Sequence, residues 1–160
     1  MTKIRIGQGI DFHKFKEGLD LWIGGVRIPS NKGCIAHSDG DVLLHAICDA
    51  ILGAAGLNDI GHYFPDTDPE FKGIRSTALL KRTYIIIRER GYKVANIDST
   101  VCLEKPKIAS FIPEMKEIIA GIIESTPESV SVKATTTEKM GFAGREEGIV
   151  ALASVLLEKA

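Results

Sequence analysis

The chain has 160 residues, of which 44% are hydrophobic and 26% charged, as is typical of a folded globular protein. Its 20 Lys and Arg residues nearly balance its 21 Asp and Glu residues, so it lacks the basic excess typical of nucleic-acid-binding proteins. The longest apolar run, Ile149 to Leu157, is much shorter than the roughly 20 residues that span a bilayer. We therefore expect one domain over residues 1–160, with neither a nucleic acid nor a membrane as partner.

The cysteines indicate a compartment. Cys34, Cys48 and Cys102 are an odd number, and none of them forms a C-x-x-C pair. This pattern favours a reducing cytosol over a disulfide framework, so we predict a cytoplasmic protein. Cys34 has a metal-like spacing to His37, but without a second such pair we interpret it as a small buried residue.

The first half of the chain predicts a strand, a hairpin and a helix. A strand around Ile10 to His13 would place alternate side chains on one face. Leu21 to Ile28 has two glycines between β-forming residues and predicts a hairpin with a tight turn. A helix is predicted from about Asp39 to Ala55, with Ser38 as its N-cap. Its polar stripe, with a residue at every fourth position, consists of Asp41, His45 and Asp49.

The second half alternates helices and strands. Turn-forming residues from Gly56 to Gly73 predict a mobile loop, and Ser76 is expected to cap the helix that follows. The final apolar segment could be a buried strand or a buried helix, but its β-branched residues favour a strand. The predicted elements are helix Thr77–Arg90, strand Asn96–Leu103, a helix from Pro113 to about Glu124, strand Ser129–Thr136 and strand Gly148–Leu157. We predict an α+β domain with helices packed on one face of a mixed sheet.

The residues Asp11, His13 and His45 are a candidate metal site. Asp11 and His13 are two residues apart on the predicted strand, and His45 lies near the start of the predicted helix. One carboxylate and two histidines with an open fourth position are typical of catalytic zinc. An alternative reading is that Asp11 caps a turn and the histidines are ordinary polar residues. Asp49, one turn after His45, either orients that ring or is a solvated carboxylate.

Seven motifs resemble, in the same order, those of the 2-C-methyl-D-erythritol 2,4-cyclodiphosphate synthase family. The resemblance extends over almost the whole chain, and each motif alone would be weak. The motifs are Asp11-x-His13, Ala36 to Asp41 with His45, Asp59-Ile60-Gly61, Phe64 to Asp68, Glu104 to Lys107, Lys133 to Glu138, and Gly141-Phe142-x-Gly144-Arg145.

The resemblance implies a homotrimer whose sheets face the threefold axis and whose active sites lie between subunits. The implied substrate, 4-diphosphocytidyl-2-C-methyl-D-erythritol 2-phosphate, cyclises and releases CMP. The implied cofactors are Zn²⁺, on Asp11, His13 and His45, and Mg²⁺ or Mn²⁺, on Glu138 together with the substrate diphosphate. A hydrophobic cavity near Phe142 and Arg145, on the trimer axis, is implied to hold an isoprenoid-like diphosphate.

The resemblance also assigns roles residue by residue. His37 and Thr136 match positions that stabilise the transition state. The implied substrate-binding residues are Asp11, His13, His37, Ser38, Asp59, Gly61, Phe64, Asp66, Asp68, Leu103, Pro106, Lys107, Ala109, Thr135, Thr136, Glu138, Phe142 and Arg145. Of these, Phe64 to Asp68 are expected to form a lid.

Two alternative functions stay open from the sequence. The same zinc ligands would serve a phosphoesterase that uses a metal-bound water. A non-catalytic trimer could instead bind nucleotides or isoprenoid diphosphates. Hydrolysis incorporates solvent oxygen and cyclisation does not, so product analysis separates the first alternative from the synthase.

Overall fold

The computed structural model of the protein describes residues 4–160. The strands are β1 (Arg5–Glu17), β2 (Leu21–Ile23), β3 (Val26–Ile28), β4 (Lys32–Cys34), β5 (Tyr92–Cys102), β6 (Val130–Thr135) and β7 (Gly148–Lys159). The helices are α1 (Val42–Ala55), α2 (Ile60–Tyr63), α3 (Ser76–Glu89), α4 (Ile112–Ile122) and α5 (Gly141–Gly144). Within the described residues, no helix is both long and apolar enough to cross a membrane.

Five strands form one sheet in the order β4-β1-β7-β5-β6, and β2 and β3 form a separate hairpin. The pair β5 and β6 is parallel, whereas the other neighbours in the sheet are antiparallel. The predicted α+β class with a mixed sheet is confirmed. The final apolar segment is a strand, as its β-branched residues indicated.

Helix α1 packs unusually close to β1 because two strand residues lack side chains. A Cβ atom built on Gly7 would lie 1.9 Å from the carbonyl oxygen of Ala50, and one on Gly9 would lie 2.0 Å from that of Ala46. Both distances are far below van der Waals contact, so only glycine permits this approach. The contact fixes the height of α1 above the strand that holds Asp11.

The opposite face of the sheet is apolar and exposed. On β1 the residues that alternate with the buried glycines point away from α1, as the period of two in a strand requires. Ile6 is 75% exposed and Phe12 is 53% exposed. Large apolar side chains at this density on one face are unusual for a surface in contact with water.

The first helix begins later than predicted, and Ser38 is not its cap. Helix α1 starts at Val42, and Asp41 is its N-cap, accepting a hydrogen bond from the Leu44 N–H at 3.1 Å. The Asp41 carboxylate also accepts the N–H groups of Gly24 at 2.9 Å and Gly25 at 2.7 Å in the hairpin turn. Asp41 is therefore a buried cap, so the predicted polar stripe of Asp41, His45 and Asp49 is wrong at its first position.

Two other predictions need correction. The segment from Gly56 to Gly73, predicted as a loop, contains α2 and a short 3-10 helix at Pro69–Phe71. Phe64 packs edge-on against the buried ring of Phe71, with ring centroids 5.5 Å apart, so the segment is anchored to the core. Ser76 is the first residue of α3, and the N-cap is Arg75, which makes no side-chain capping bond.

Candidate functional site

Three side chains with metal-binding atoms converge where β1 passes α1. His13 Nε2 lies 2.9 Å from Asp11 Oδ2, and His45 Nδ1 lies 3.1 Å from the same oxygen. The two ring nitrogens are 3.1 Å apart. Two imidazole nitrogens and a carboxylate oxygen suit zinc and similar divalent ions, so this donor set fits a metal ion. The structure thus brings together all three predicted ligands.

Local geometry explains why these three residues meet. Asp11 and His13 share the face of β1 that α1 covers, because they are two residues apart. His45 lies in the first turn of α1, next to Ala46, whose carbonyl oxygen is in close contact with Gly9. The side chain of His45 is only 11% exposed and that of Asp11 is 27% exposed, so the cluster opens to solvent on one side.

The charges of the cluster reinforce one another. Burial alone would raise the pKa of Asp11, but hydrogen bonds and charges from His13 and His45 lower it well below its usual range. Burial alone would lower the pKa of His45, but the hydrogen bond and charge of Asp11 raise it above its ordinary value of 6.5. An anionic carboxylate therefore faces the His45 ring, which attracts a proton. A metal ion competes with that proton, because ligation needs the unprotonated nitrogen.

The far nitrogen of His45 contacts Ser76 and not Asp49. His45 Nε2 lies 2.8 Å from Ser76 Oγ and 3.2 Å from Ser38 Oγ. The Asp49 carboxylate instead accepts the backbone N–H of Ile60 at 2.7 Å, at the start of α2. The hypothesis that Asp49 orients His45 through a hydrogen bond is therefore wrong, and so is the reading of Asp49 as a purely solvated carboxylate.

A cavity of about 410 Å³ opens beside the cluster. Predicted site residues that line it are His13, His37, Ser38, His45, Gly61, Phe64 and Asp66. Apolar side chains such as Ile35 and Leu79 complete the wall. The Nε2 atom of His37 is buried and has no hydrogen-bond partner among residues 4–160, so its hydrogen-bonding capacity is unused within the described chain.

Two predicted substrate-binding carboxylates have local structural partners. Asp59 is the N-cap of α2 and accepts the His62 N–H at 2.9 Å. Asp68 caps the short 3-10 helix and accepts the Glu70 N–H at 2.9 Å. Within the described chain, neither residue lines the cavity. Within a single chain, helix capping therefore accounts for both Asp59 and Asp68.

A second group of predicted site residues lies at the other edge of the sheet. Leu103 to Ala109 follows β5, and Thr135 to Glu138 begins with the last residue of β6, the outermost strand beyond β5. Leu103 donates its N–H to the carbonyl oxygen of Thr135 at 3.0 Å. The lining of the cavity beside His45 includes none of these residues, in the chain as described from residue 4 to 160.

Glu104 holds the second group together, a role that the sequence analysis did not assign. One carboxylate oxygen of Glu104 accepts the N–H groups of Thr137 and Lys139, both at 3.1 Å. Glu138 and Lys139 have positive φ angles of 54° and 63°, so these two bonds stabilise a backbone shape that side chains disfavour. Glu104 belongs to one of the seven motifs, but its partners are more than thirty residues away in sequence, so its contacts could not be predicted from the motif.

Phe142 lines a different cavity, and Arg145 pairs with one of the residues that line it. Phe142 packs against Phe12 with ring centroids 6.0 Å apart, and both line a cavity of about 530 Å³ together with Lys14 and Glu147. Arg145 pairs with the Glu147 carboxylate at 2.8 Å. The lining includes Phe12, from the exposed apolar face of the sheet, and also His13 of the metal cluster.

Comparison with known proteins connects this geometry to a family. The profile of the YgbB family matches residues 4–158, which is nearly the whole chain. The chain belongs to the YgbB family. A relative from Bacteroides thetaiotaomicron, 2-C-methyl-D-erythritol 2,4-cyclodiphosphate synthase, is 55% identical over 157 residues, covering 98% of this chain and 99% of the relative. The resemblance seen in the seven motifs is therefore confirmed, and the chain is an enzyme of this synthase family.

Solved structures agree with the assignment to the YgbB family. The bifunctional IspDF from Campylobacter jejuni superposes with a TM-score of 0.96 at 47% identity; the match covers 100% of this chain and 43% of that protein. This chain thus spans less than half the length of the bifunctional relative. IspF from Plasmodium falciparum in its CDP complex superposes with a TM-score of 0.86 at 36% identity, covering 99% of this chain and 98% of that one.

Proposed function

We propose that the protein converts 4-diphosphocytidyl-2-C-methyl-D-erythritol 2-phosphate to 2-C-methyl-D-erythritol 2,4-cyclodiphosphate and CMP. The observation that supports this most strongly is the Asp11, His13 and His45 cluster, open to a cavity lined by His37 and Ser38. The similar relatives have this synthase name, and one similar solved structure holds CDP.

The reaction is an intramolecular phosphoryl transfer. An oxygen of the 2-phosphate attacks the β-phosphorus, the bond from that phosphorus to the bridging oxygen of the diphosphate breaks, and CMP leaves with that oxygen. No protein nucleophile is needed, so the task of the site is to align two anions and offset their repulsion. This chemistry is that of a phosphorus-oxygen lyase.

Asp11, His13 and His45 would hold zinc, which supplies positive charge that binds and orients a phosphate. His37 lies at the same cavity, and its free Nε2 would bind a phosphate oxygen as charge develops in the transition state. The Ser38 hydroxyl accepts the Gly40 N–H at 3.1 Å, which leaves its own hydrogen free for a substrate oxygen.

The second group would bind the nucleotide. Glu138 would hold Mg²⁺ or Mn²⁺, which would supply positive charge to offset that of the substrate diphosphate. The Thr136 hydroxyl accepts the Glu138 N–H at 3.3 Å, so its hydrogen can be donated to a phosphate oxygen. Backbone groups and side chains in Leu103 to Ala109, including Pro106 and Lys107, together with Thr135, would form the cytidine pocket. The Phe64 to Asp68 segment, packed at Phe64 against Phe71, would cover the substrate beside the first group.

The distance between the two groups supports a site shared by two chains. Phe12, Val150, Cys102 and Thr135 form one row across the sheet, from β1 to β6. Three strand spacings separate the ends of this row, which is about 14 Å. Because Asp11 and His13 flank Phe12, one chain alone holds its two groups three strand spacings apart.

A homotrimer with the sheets facing the threefold axis would solve two problems at once. It would bring the first group of one chain next to the second group of its neighbour. It would also bury the apolar face that includes Ile6, Ile10 and Phe12, each about half exposed or more in the single chain. The cavity at Phe12 and Phe142 would then lie near the axis, where apolar walls suit an isoprenoid diphosphate.

Product analysis in ¹⁸O-labelled water tests the proposed reaction. The enzyme is incubated with the cytidine-linked substrate and divalent metal, and the products are identified by ³¹P NMR and mass spectrometry. The proposal predicts CMP and a cyclic diphosphate without solvent oxygen. A linear, ¹⁸O-containing phosphate would identify a phosphoesterase with the same zinc ligands, and binding without turnover would identify a non-catalytic protein.

A further inference from the structure

The ring of His45 is held from both sides. Its Nδ1 faces Asp11 and His13, whereas its Nε2 lies 2.8 Å from the Ser76 hydroxyl. Histidine can ligate a metal through either nitrogen, and the hydrogen bond at the other nitrogen decides which one. The partner of Nε2 is therefore as relevant to metal binding as the ligands themselves.

The direction of each hydrogen bond follows from Asp39. Ser76 donates its hydroxyl hydrogen to Asp39 Oδ1, and Ser76 N–H donates to Asp39 Oδ2 at 2.9 Å. A carboxylate can only accept, so the Ser76 oxygen offers lone pairs to His45. His45 must then donate from Nε2, which leaves a lone pair on Nδ1, the atom that faces the metal position.

Asp39 is itself fixed in place. Its side chain is only 6% exposed, and Arg75 Nε donates to Oδ2 at 3.0 Å. The Arg75 guanidinium stacks on Trp22, with its carbon 3.5 Å from the ring centroid. In addition, Asp39 N–H donates to the Ile74 carbonyl oxygen at 3.1 Å, which joins the loop before α1 to the turn before α3.

We propose that Asp39 and Ser76 are positioning residues that hold His45 as its Nε2–H tautomer and aim Nδ1 at the metal. This inference rests on the proposed metal site and adds two residues that the seven motifs did not single out for it. Asp39 accepts from Ser76, and Ser76 accepts from His45, so the chain acts through His45 and touches no substrate.

Ser38 is a weaker candidate for the same role. Its oxygen is 3.2 Å from His45 Nε2, longer than the 2.8 Å to Ser76. It also accepts the Gly40 N–H, and this bond competes for its lone pairs. Ser38 lines the cavity, where its hydroxyl can donate a hydrogen bond to a phosphate, whereas Ser76 is fully buried. Ser76, which no substrate can reach, is therefore the permanent hydrogen-bond partner of His45 Nε2.

The test compares Ser76→Ala, Asp39→Asn and Ser76→Thr with the wild-type protein. Zinc affinity is measured by competition with a chelator, and the tautomer of His45 in the metal-free protein is measured by long-range ¹H–¹⁵N NMR at alkaline pH. Ser76→Ala and Asp39→Asn should weaken zinc binding by about 10- to 100-fold and raise the Nδ1–H population. Ser76→Thr, which keeps the hydroxyl, should leave the zinc affinity and the Nδ1–H population at their wild-type values.

Thr83→Val is the matched control. Thr83 is a fully buried hydroxyl residue two turns further along α3, and its replacement should leave zinc affinity and the tautomer unchanged. If Ser76→Ala fails to fold, the positioning role is tested by comparing Asp39→Asn with Ser76→Thr. Unchanged affinity and tautomer in Asp39→Asn would overturn the positioning role. Zinc binding that survives His45→Ala would instead overturn the metal site on which this role rests.

Discussion

Gly9 in β1 is in direct contact with the backbone of Ala46 in α1, since a Cβ on Gly9 would lie 2.0 Å from the Ala46 carbonyl oxygen. Ala46 follows His45, and Gly9 precedes Asp11 by two residues on the same face of the strand. The contact therefore sets the distance between a ligand on the helix and two ligands on the strand. A side chain at Gly9 would push these elements apart.

Gly9→Ala should lower the free energy of unfolding by about 1–3 kcal/mol or more, because backbone atoms cannot move aside for the added methyl group. It should also weaken zinc binding by separating His45 from Asp11. Urea unfolding of the metal-free protein and chelator competition measure the two effects. Gly53→Ala on α1 is the control, since its Cβ would meet only the Gln8 oxygen at 3.9 Å. A Gly9→Ala protein as stable as Gly53→Ala would contradict this.

His45→Ala should remove the bound zinc and leave the fold intact. The core contains more than thirty buried apolar residues and does not depend on the metal for its packing. Zinc content, circular dichroism and sedimentation are measured on the same preparation. Loss of the fold together with the metal would mean that zinc is structural.

Zinc affinity should continue to rise with pH above 6.5, where the affinity of a site with an ordinary histidine would level off. Because the pKa of His45 is raised, its ring keeps a proton above the ordinary value of 6.5, and zinc must displace that proton. Below the raised pKa, one displaced proton weakens binding by about tenfold per pH unit. Chelator competition over a pH series checks this. An affinity that levels off near pH 6.5 would show that Asp11 does not raise the pKa.

Asp49→Asn should change zinc affinity by less than about tenfold, below the usual effect of losing a partner that orients a ligand. The carboxylate accepts the Ile60 N–H, so its replacement should loosen the start of α2 instead. Hydrogen exchange of the Ile60 amide, together with zinc affinity, separates the two effects. A large loss of zinc with an unchanged Ile60 amide would contradict the observed hydrogen bond.

The metal ligands were predictable because short-range rules place them. Alternation along a strand puts Asp11 beside His13, and an amphipathic helix presents His45 to the same core. The sheet class and the final strand also followed from pattern. These features depend on residues that are near one another in sequence.

Partners that are distant in sequence were not predictable. Ser38 and Asp41 have the spacing of a capping box, but Asp41 is the cap because the N–H groups of Gly24 and Gly25 also require an acceptor. Ser76 looked like a cap, yet its hydroxyl lies between His45 and Asp39. Only the packing of α3 against the loop before α1 brings these groups together.

The most direct test of the central claim, that one active site is assembled from two neighbouring chains, uses two inactive variants. His13→Ala damages the first group, and Glu138→Ala damages the second. The two chains are coexpressed with different tags, and mixed trimers are isolated by both tags and confirmed by mass.

Each mixed trimer of either composition has one interface that pairs an intact first group with an intact second group, so about one third of wild-type CMP release per trimer is expected. Trimers of His13→Ala with His45→Ala are the matched control and should be inactive, since both variants damage the same group. The account predicts restored turnover in the first mixture only. Verified mixed trimers that stay as inactive as either parent would contradict it.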